Sequence, residues 1–127
     1  VSFWWGTFDL AVARYSGRHV EPPPGAGIIH RVGGDAELAC VGFWPGNTKL
    51  REPAFFAYAY PVPPGLEAAA IRPADAAWNP TLGEFILTYE AVRRSPDPRQ
   101  AILDFAESTF IAGATAQRWD PELLRPY

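Results

Sequence analysis

A chain of 127 residues makes one domain with enough length to bury a sizeable core. Its net charge of -3, spread along the sequence, excludes an electrostatic nucleic-acid binder, and no basic run addresses an anionic membrane surface. The aromatic fraction of 14%, beside 14 prolines and 11 glycines, asks for many rings to be housed between many turns. No apolar run approaches a membrane span, and no segment reads as a signal peptide, so a membrane is not an expected partner. Cys40 is the single cysteine, which leaves no intrachain disulfide or thiolate metal cluster and suits a reducing, cytoplasmic setting. Methionine is absent even at position 1, and the chain starts abruptly on a hydrophobic run, as the C-terminal part of a larger protein would.

Residues 1–15 read as an extended segment in which Phe8, Leu10 and Val12 alternate with Asp9, Ala11 and Ala13. A short helix capped by Thr7 is the rival. Ser16-Gly17 closes the segment, and Glu21 to Gly25 forms a semi-rigid proline loop that Ile28 and Ile29 would anchor to the body. Glu37 to Trp44 is a second strand, with Glu37, Ala39, Val41 and Phe43 on one face. Trp44-Pro45-Gly46-Asn47 fits a β-turn with proline second and glycine third.

Pro53 to Tyr60 resumes the alternation, with Phe56, Tyr58 and Tyr60 opposite Phe55, Ala57 and Ala59. Ala69 to Arg72 reads as a short edge strand stopped by Pro73. Asn79 to Gly83 turns Ala76–Trp78 back onto Glu84–Tyr89, where Phe85, Leu87 and Tyr89 alternate with Glu84, Ile86 and Thr88. The period then changes. Asp97 caps and Pro98 opens a helix over 98–117, with Leu103, Ala106, Phe110 and Ala114 at helical steps and Ile102 and Phe105 broadening the stripe that faces the sheet. Asp120-Pro121 starts a short terminal turn. The expected architecture is α+β, an antiparallel sheet of hairpins covered by a C-terminal helix.

Several blocks resemble a family of uncharacterised bacterial proteins, domain of unknown function 5996. They are Phe3 to Val12 with Arg14 to Arg18, Gly42 to Gly46, Pro53 to Tyr58, Leu82 to Leu87 and Tyr89 to Arg93. The wording at Trp5 and Thr7 departs conservatively from the family's. The resemblance implies a protein about twice this long with an N-terminal β-rich half. It carries over no activity, cofactor or catalytic residue.

The residues themselves offer few sites. Asp9 lies among rings, where a carboxylate with a raised pKa could act as acid or base; the commoner role is accepting backbone or arginine hydrogen bonds. Arg14 is five residues on, which in a strand is the opposite face. His19 and His30, the two histidines, share the proline-glycine loop region without the spacing of a metal pair, so no metal is expected; His30 could serve Asp9 as a base only if the loop folds over. Cys40 mid-strand reads as a small hydrophobe. Gly25-Ala26-Gly27 and Gly33-Gly34 lack the strand-to-helix context of a phosphate loop, and no cofactor is implied.

The aromatic set Trp4, Trp5, Trp44, Tyr58, Tyr60 and Trp78 carries more, since so many N–H and O–H groups need partners. Buried Trp4 or Trp5 and a hydrogen-bonded Asp9 are expected. The leading reading is a binding or interaction module whose aromatic face meets the N-terminal half of the same protein or a small apolar ligand. The rival is an enzyme on a small organic substrate in a Trp/Tyr-lined cleft, using Asp9 with Arg14 or His30. A third is a domain whose aromatics close a homo-oligomer.

Overall fold

The alternation of alanine and ring along residues 54–60 determines how the two sides of this protein differ. The structure, a computed structural model, describes residues 1–125, apart from the side chains of residues 29, 30 and 32. Its described residues form six strands: β1 (Ser2–Trp4), β2 (Asp9–His19), β3 (Ala36–Trp44), β4 (Ala54–Tyr60), β5 (Ala77–Asn79) and β6 (Glu84–Thr88). All neighbours are antiparallel, in the order β1-β2-β3-β4-β6-β5. The helices are α1 (Ile28–Gly33), α2 (Tyr89–Arg94) and α3 (Pro98–Ala116). The α+β class and the covering C-terminal helix are as expected, and among the described residues no helix is long and apolar enough to cross a membrane.

Pleating sends Phe55, Ala57 and Ala59 to one side of β4 and Ala54, Phe56, Tyr58 and Tyr60 to the other. On the first side, α3 packs over β3 and β4. Its core joins Ala57, Ala59, Phe85 and Leu87 to Leu66, Val92 and Phe105. The alanines are small because the helix comes close: a Cβ on Gly113 would stand 3.1 Å from that of Ala59 and 3.9 Å from that of Ala39. On the second side, Ala11, Cys40, Ala54, Phe56 and Ile86 make a separate cluster with no helix above it among the described residues.

α3 begins where expected, with the Asp97 carboxylate accepting from the Gln100 N–H at 3.0 Å and Pro98 in the first turn. Its buried stripe is Ala101, Phe105, Thr109, Gly113 and Ala114. Leu103, expected to face the sheet, is 46% exposed. Leu103 stands two residues from both Ala101 and Phe105, about 200° round the helix from the buried stripe. Phe110 flanks the stripe, half-buried, with its ring edge-on to Trp119 at 5.6 Å. Trp119 is buried, and its indole N–H donates to Gln117, whose amide in turn donates to the Pro61 carbonyl.

Local expectations fail where turns intervene. Residues 1–15 are a hairpin, not one strand: the chain reverses over residues 5–8, with Phe8 at φ 59° and the Thr7 N–H on the Trp4 carbonyl. β2 runs past Ser16-Gly17, where Gly17 at φ 85° lies within the register shift against β3. At Gly46, φ is 99°, yet the Asn47 N–H bonds Leu50 rather than closing a turn on Trp44. Ala69–Arg72 forms no strand; the Arg72 N–H donates to the Ser108 hydroxyl of α3 instead. Tyr89 leaves β6 to open α2, because the Thr88 hydroxyl caps the Ala91 N–H. Ile28 is 68% exposed and anchors nothing; the side chain of Ile29 lies outside the described residues.

The expected burial of Trp4 or Trp5 is also overturned, for they are 59% and 80% exposed. They stand at a three-residue edge strand that α3 does not cover.

Phe105 is fully buried, so Phe105→Ala is expected to lower stability by about 3–5 kcal/mol, whereas Leu103→Ala should cost under ~1 kcal/mol. Urea denaturation of both variants checks the assignment. Equal losses would place the helix face elsewhere.

Candidate functional site

The uncovered side of the sheet carries a hollow of about 570 Å³. Its floor is Ala11, Cys40, Phe56 and Tyr58, supplied by β2, β3 and β4. Trp4 at the end of β1 and Thr7 in the hairpin turn form one flank, Trp44 closes the end of β3, and Leu82 from the β5–β6 turn and Glu84 at the start of β6 complete it. Gly42 lets the floor pack: a Cβ there would lie 2.5 Å from the Phe56 ring and from the Leu10 carbonyl. With that space open, Phe56 tilts against Trp44 at 4.7 Å between ring centroids and stacks near-parallel with Tyr58 at 6.3 Å.

Two carboxylates reach this hollow from the starts of two strands. Asp9 opens β2 opposite Trp4 and accepts from the Thr7 hydroxyl, a side-chain partner rather than the backbone or arginine expected. Glu84 opens β6 opposite Asn79, directly after Gly83 at φ 71°. Asn79 builds that turn: its side-chain oxygen accepts from the Thr81 and Leu82 N–H groups, and its carbonyl accepts from Gly83. Period two then sets Glu84 on the same side as Ile86.

Burial pushes the Glu84 carboxyl up to about 7, helped by the Asp9 charge. Its Oε2 is buried without a protein partner, and so is the indole Nε1 of Trp44. Tyr58 and Cys40 are direct cross-strand neighbours in the β3–β4 pairing. Burial raises both of those pKa values, which keeps Cys40 a thiol rather than a nucleophile.

Of the residues singled out in the sequence, Trp4, Trp44, Tyr58 and Asp9 meet in the hollow. The others do not. Trp5 projects from the hairpin turn, and Tyr60 shares the side of Tyr58 but lies beyond the hollow. Trp78 is on the α3 side, edge-on to Phe85 at 5.0 Å, because its place in β5 has the opposite parity. Arg14 is on that side too, 4.0 Å over the Phe110 ring and donating to the Leu123 carbonyl at 2.5 Å. Strand parity therefore separates it from Asp9. The backbone of His30 is in α1, and its side chain lies outside the described residues. His19 pairs with Glu21 at 3.0 Å.

Glu84 and Phe56 were not singled out as site residues. Both have the parity of Tyr58 or Ile86, but parity alone does not tell which side of a sheet is bare.

The pH dependence of stability follows from Glu84. The unfolded chain releases this proton near 4.5 and the folded chain near 7, so between them the folded state holds more protons and stability falls as pH rises. Below that window the contribution is intact; above it, it is lost. Glu84→Gln is expected to flatten the decline in denaturation midpoints, and an equally steep decline in the variant would assign it to another group.

No curated protein and no solved structure matches the chain. One family model, described as a family of unknown function, matches residues 1–126. With that match covering essentially its whole length, the chain belongs to the family of unknown function DUF5996.

Proposed function

We propose that the protein is a binding module that takes a small organic ligand into the aromatic-walled hollow on the uncovered side of its sheet. The observation that carries this reading is the pair of buried, unpartnered polar atoms on its wall, Trp44 Nε1 and Glu84 Oε2. Leaving such groups unpaired costs about 1–3 kcal/mol each, which a ligand recovers when the two side chains turn to meet it. The volume of about 570 Å³ suits a small molecule.

A second reading rests on one observation. A carboxyl titrating near 7 is poised for proton transfer at neutral pH, so Glu84 beside Asp9 could serve an acid–base enzyme. Turnover abolished in Glu84→Gln with ligand binding retained would select that reading.

The edge of the sheet supports an association as well. Phe3, Phe8, Leu10 and Val12 are all more than two-fifths exposed, and the Phe3 and Phe8 rings touch edge-on at 6.2 Å. We place a second copy or a partner domain there, because an apolar strip beside an unpaired strand edge recruits cover. A cytoplasmic location fits the single buried thiol.

Two measurements check these proposals. In an indole ¹H–¹⁵N spectrum, mixtures of small aromatic fragments are expected to move the Trp44 signal, assigned through Trp44→Phe, and to leave Trp78 and Trp119 in place. A Trp44 signal unmoved by every mixture overturns the binding reading. In sedimentation at micromolar concentration the chain is expected to self-associate, and Leu10→Glu to reverse it; a monomer at every concentration removes the second copy.

A further inference from the structure

We infer that the ligand of this hollow carries an ammonium group, primary or quaternary, seated against the rings of Trp4 and Trp44 and charge-paired with Glu84 and Asp9. The inference rests on the binding reading above and names the chemical class of its ligand.

The sign of the site is the first argument. Asp9 and Glu84 are the carboxylates of the lining, and among the described residues no lysine, arginine or histidine lines it. An anionic ligand would add a third negative charge to a partly buried pair. A neutral one would leave that repulsion unrelieved.

The walls give the second argument. Trp4, Trp44, Phe56 and Tyr58 present ring faces and edges around one space, and ring faces attract cations by their quadrupoles, Trp most strongly. Rings with a carboxylate form the usual surroundings of an organic ammonium. A hard metal ion needs six or more oxygen ligands, and no group of three metal-binding side chains converges among the described residues.

Hydrogen bonding gives the third. Glu84 Oε2 is buried without a donor, and an ammonium N–H supplies one once the carboxylate turns towards it, while a quaternary nitrogen acts through charge alone. Trp44 Nε1–H lacks an acceptor, so the ligand should also bear an oxygen close to the cation.

Proton linkage follows. The titratable groups that face Glu84 are Asp9 from β2, Cys40 from β3 and Tyr58 from β4, and burial keeps the last two protonated. A bound cation therefore favours the ionised form of Glu84 beside Asp9, and Glu84 releases its proton on binding. Affinity should rise with pH through about 7, where the empty site titrates.

The test compares three probes of one shape: 2-phenylethylammonium, 2-phenylethanol and 3-phenylpropanoate, titrated while the Trp44 indole signal is followed. The ammonium is expected to bind at least about tenfold more tightly than the alcohol, with affinity increasing across neutral pH only for the cation. Glu84→Gln and Asp9→Asn should each remove the cation's advantage while the Trp78 and Trp119 signals stay in place. If the alcohol moves Trp44 as tightly as the ammonium, the cation inference falls and the binding reading stands. If none of the three moves Trp44, the inference is overturned; if the fragment mixtures fail as well, the binding reading falls with it.

Discussion

The closeness of α3 to the sheet at Gly113 is the constraint on which the remaining structure depends. A helix axis normally stands about 10 Å from a sheet on a cushion of branched side chains. Here the cushion is reduced to Ala39 and Ala59 under a residue without a side chain. Every second position of β4 on that side must then be small near the contact, and Ala57 and Ala59 are. Phe56, Tyr58 and Tyr60 take the opposite side, where no helix among the described residues has to be accommodated, and Phe55 lies on the covered side away from the contact. At this one contact, small residues on the covered face are matched by Phe56 and Tyr58 on the uncovered one, while Phe55, Phe85 and Phe105 fill the covered side away from it.

That division explains the site's cost as well as its shape. The rings of Trp44, Phe56 and Tyr58 shield the hollow from water well enough to push a carboxyl at its rim towards neutrality. They do not supply the hydrogen bonds that Glu84 Oε2 and Trp44 Nε1 would make in solvent. A core selected for stability alone would put leucine at both places. Local economy was set aside at this one spot on the sheet, which is how functional surfaces commonly differ from the framework around them.

Much of this was legible in the order of residues. Alternation located β3, β4 and β6, and the Asp97-Pro98 pair located the start of α3 to the residue. Asp9, Trp4, Trp44 and Tyr58 could be singled out because rings and a lone carboxylate are chemically conspicuous. What stayed hidden depended on side and distance. Leu103 looked like core because it is apolar and three and seven residues from Ala106 and Phe110, but the stripe that meets the sheet runs through Ala101, Phe105, Thr109 and Gly113. Trp78 looked like pocket because a strand's parity is readable but its orientation is not. Glu84 passed unnoticed for the same reason. The reversal at residues 5–8 was hidden because Phe8 adopts a positive φ that glycine usually signals.

The hairpin that bears Trp4 has a consequence in time. β1 is held by three residue pairings at the sheet's edge, while Cys40 and Phe56 belong to strands paired on both sides. Opening the rim releases one short ladder; opening the floor means unfolding the sheet. Backbone amides on the two should therefore exchange with solvent on separate clocks, the rim by local fraying and the floor by global unfolding. A molecule that touches both would slave the faster clock to its own residence time. Occupancy on one side of the sheet would then be reported at its edge as order along the strip bearing Phe3 and Leu10.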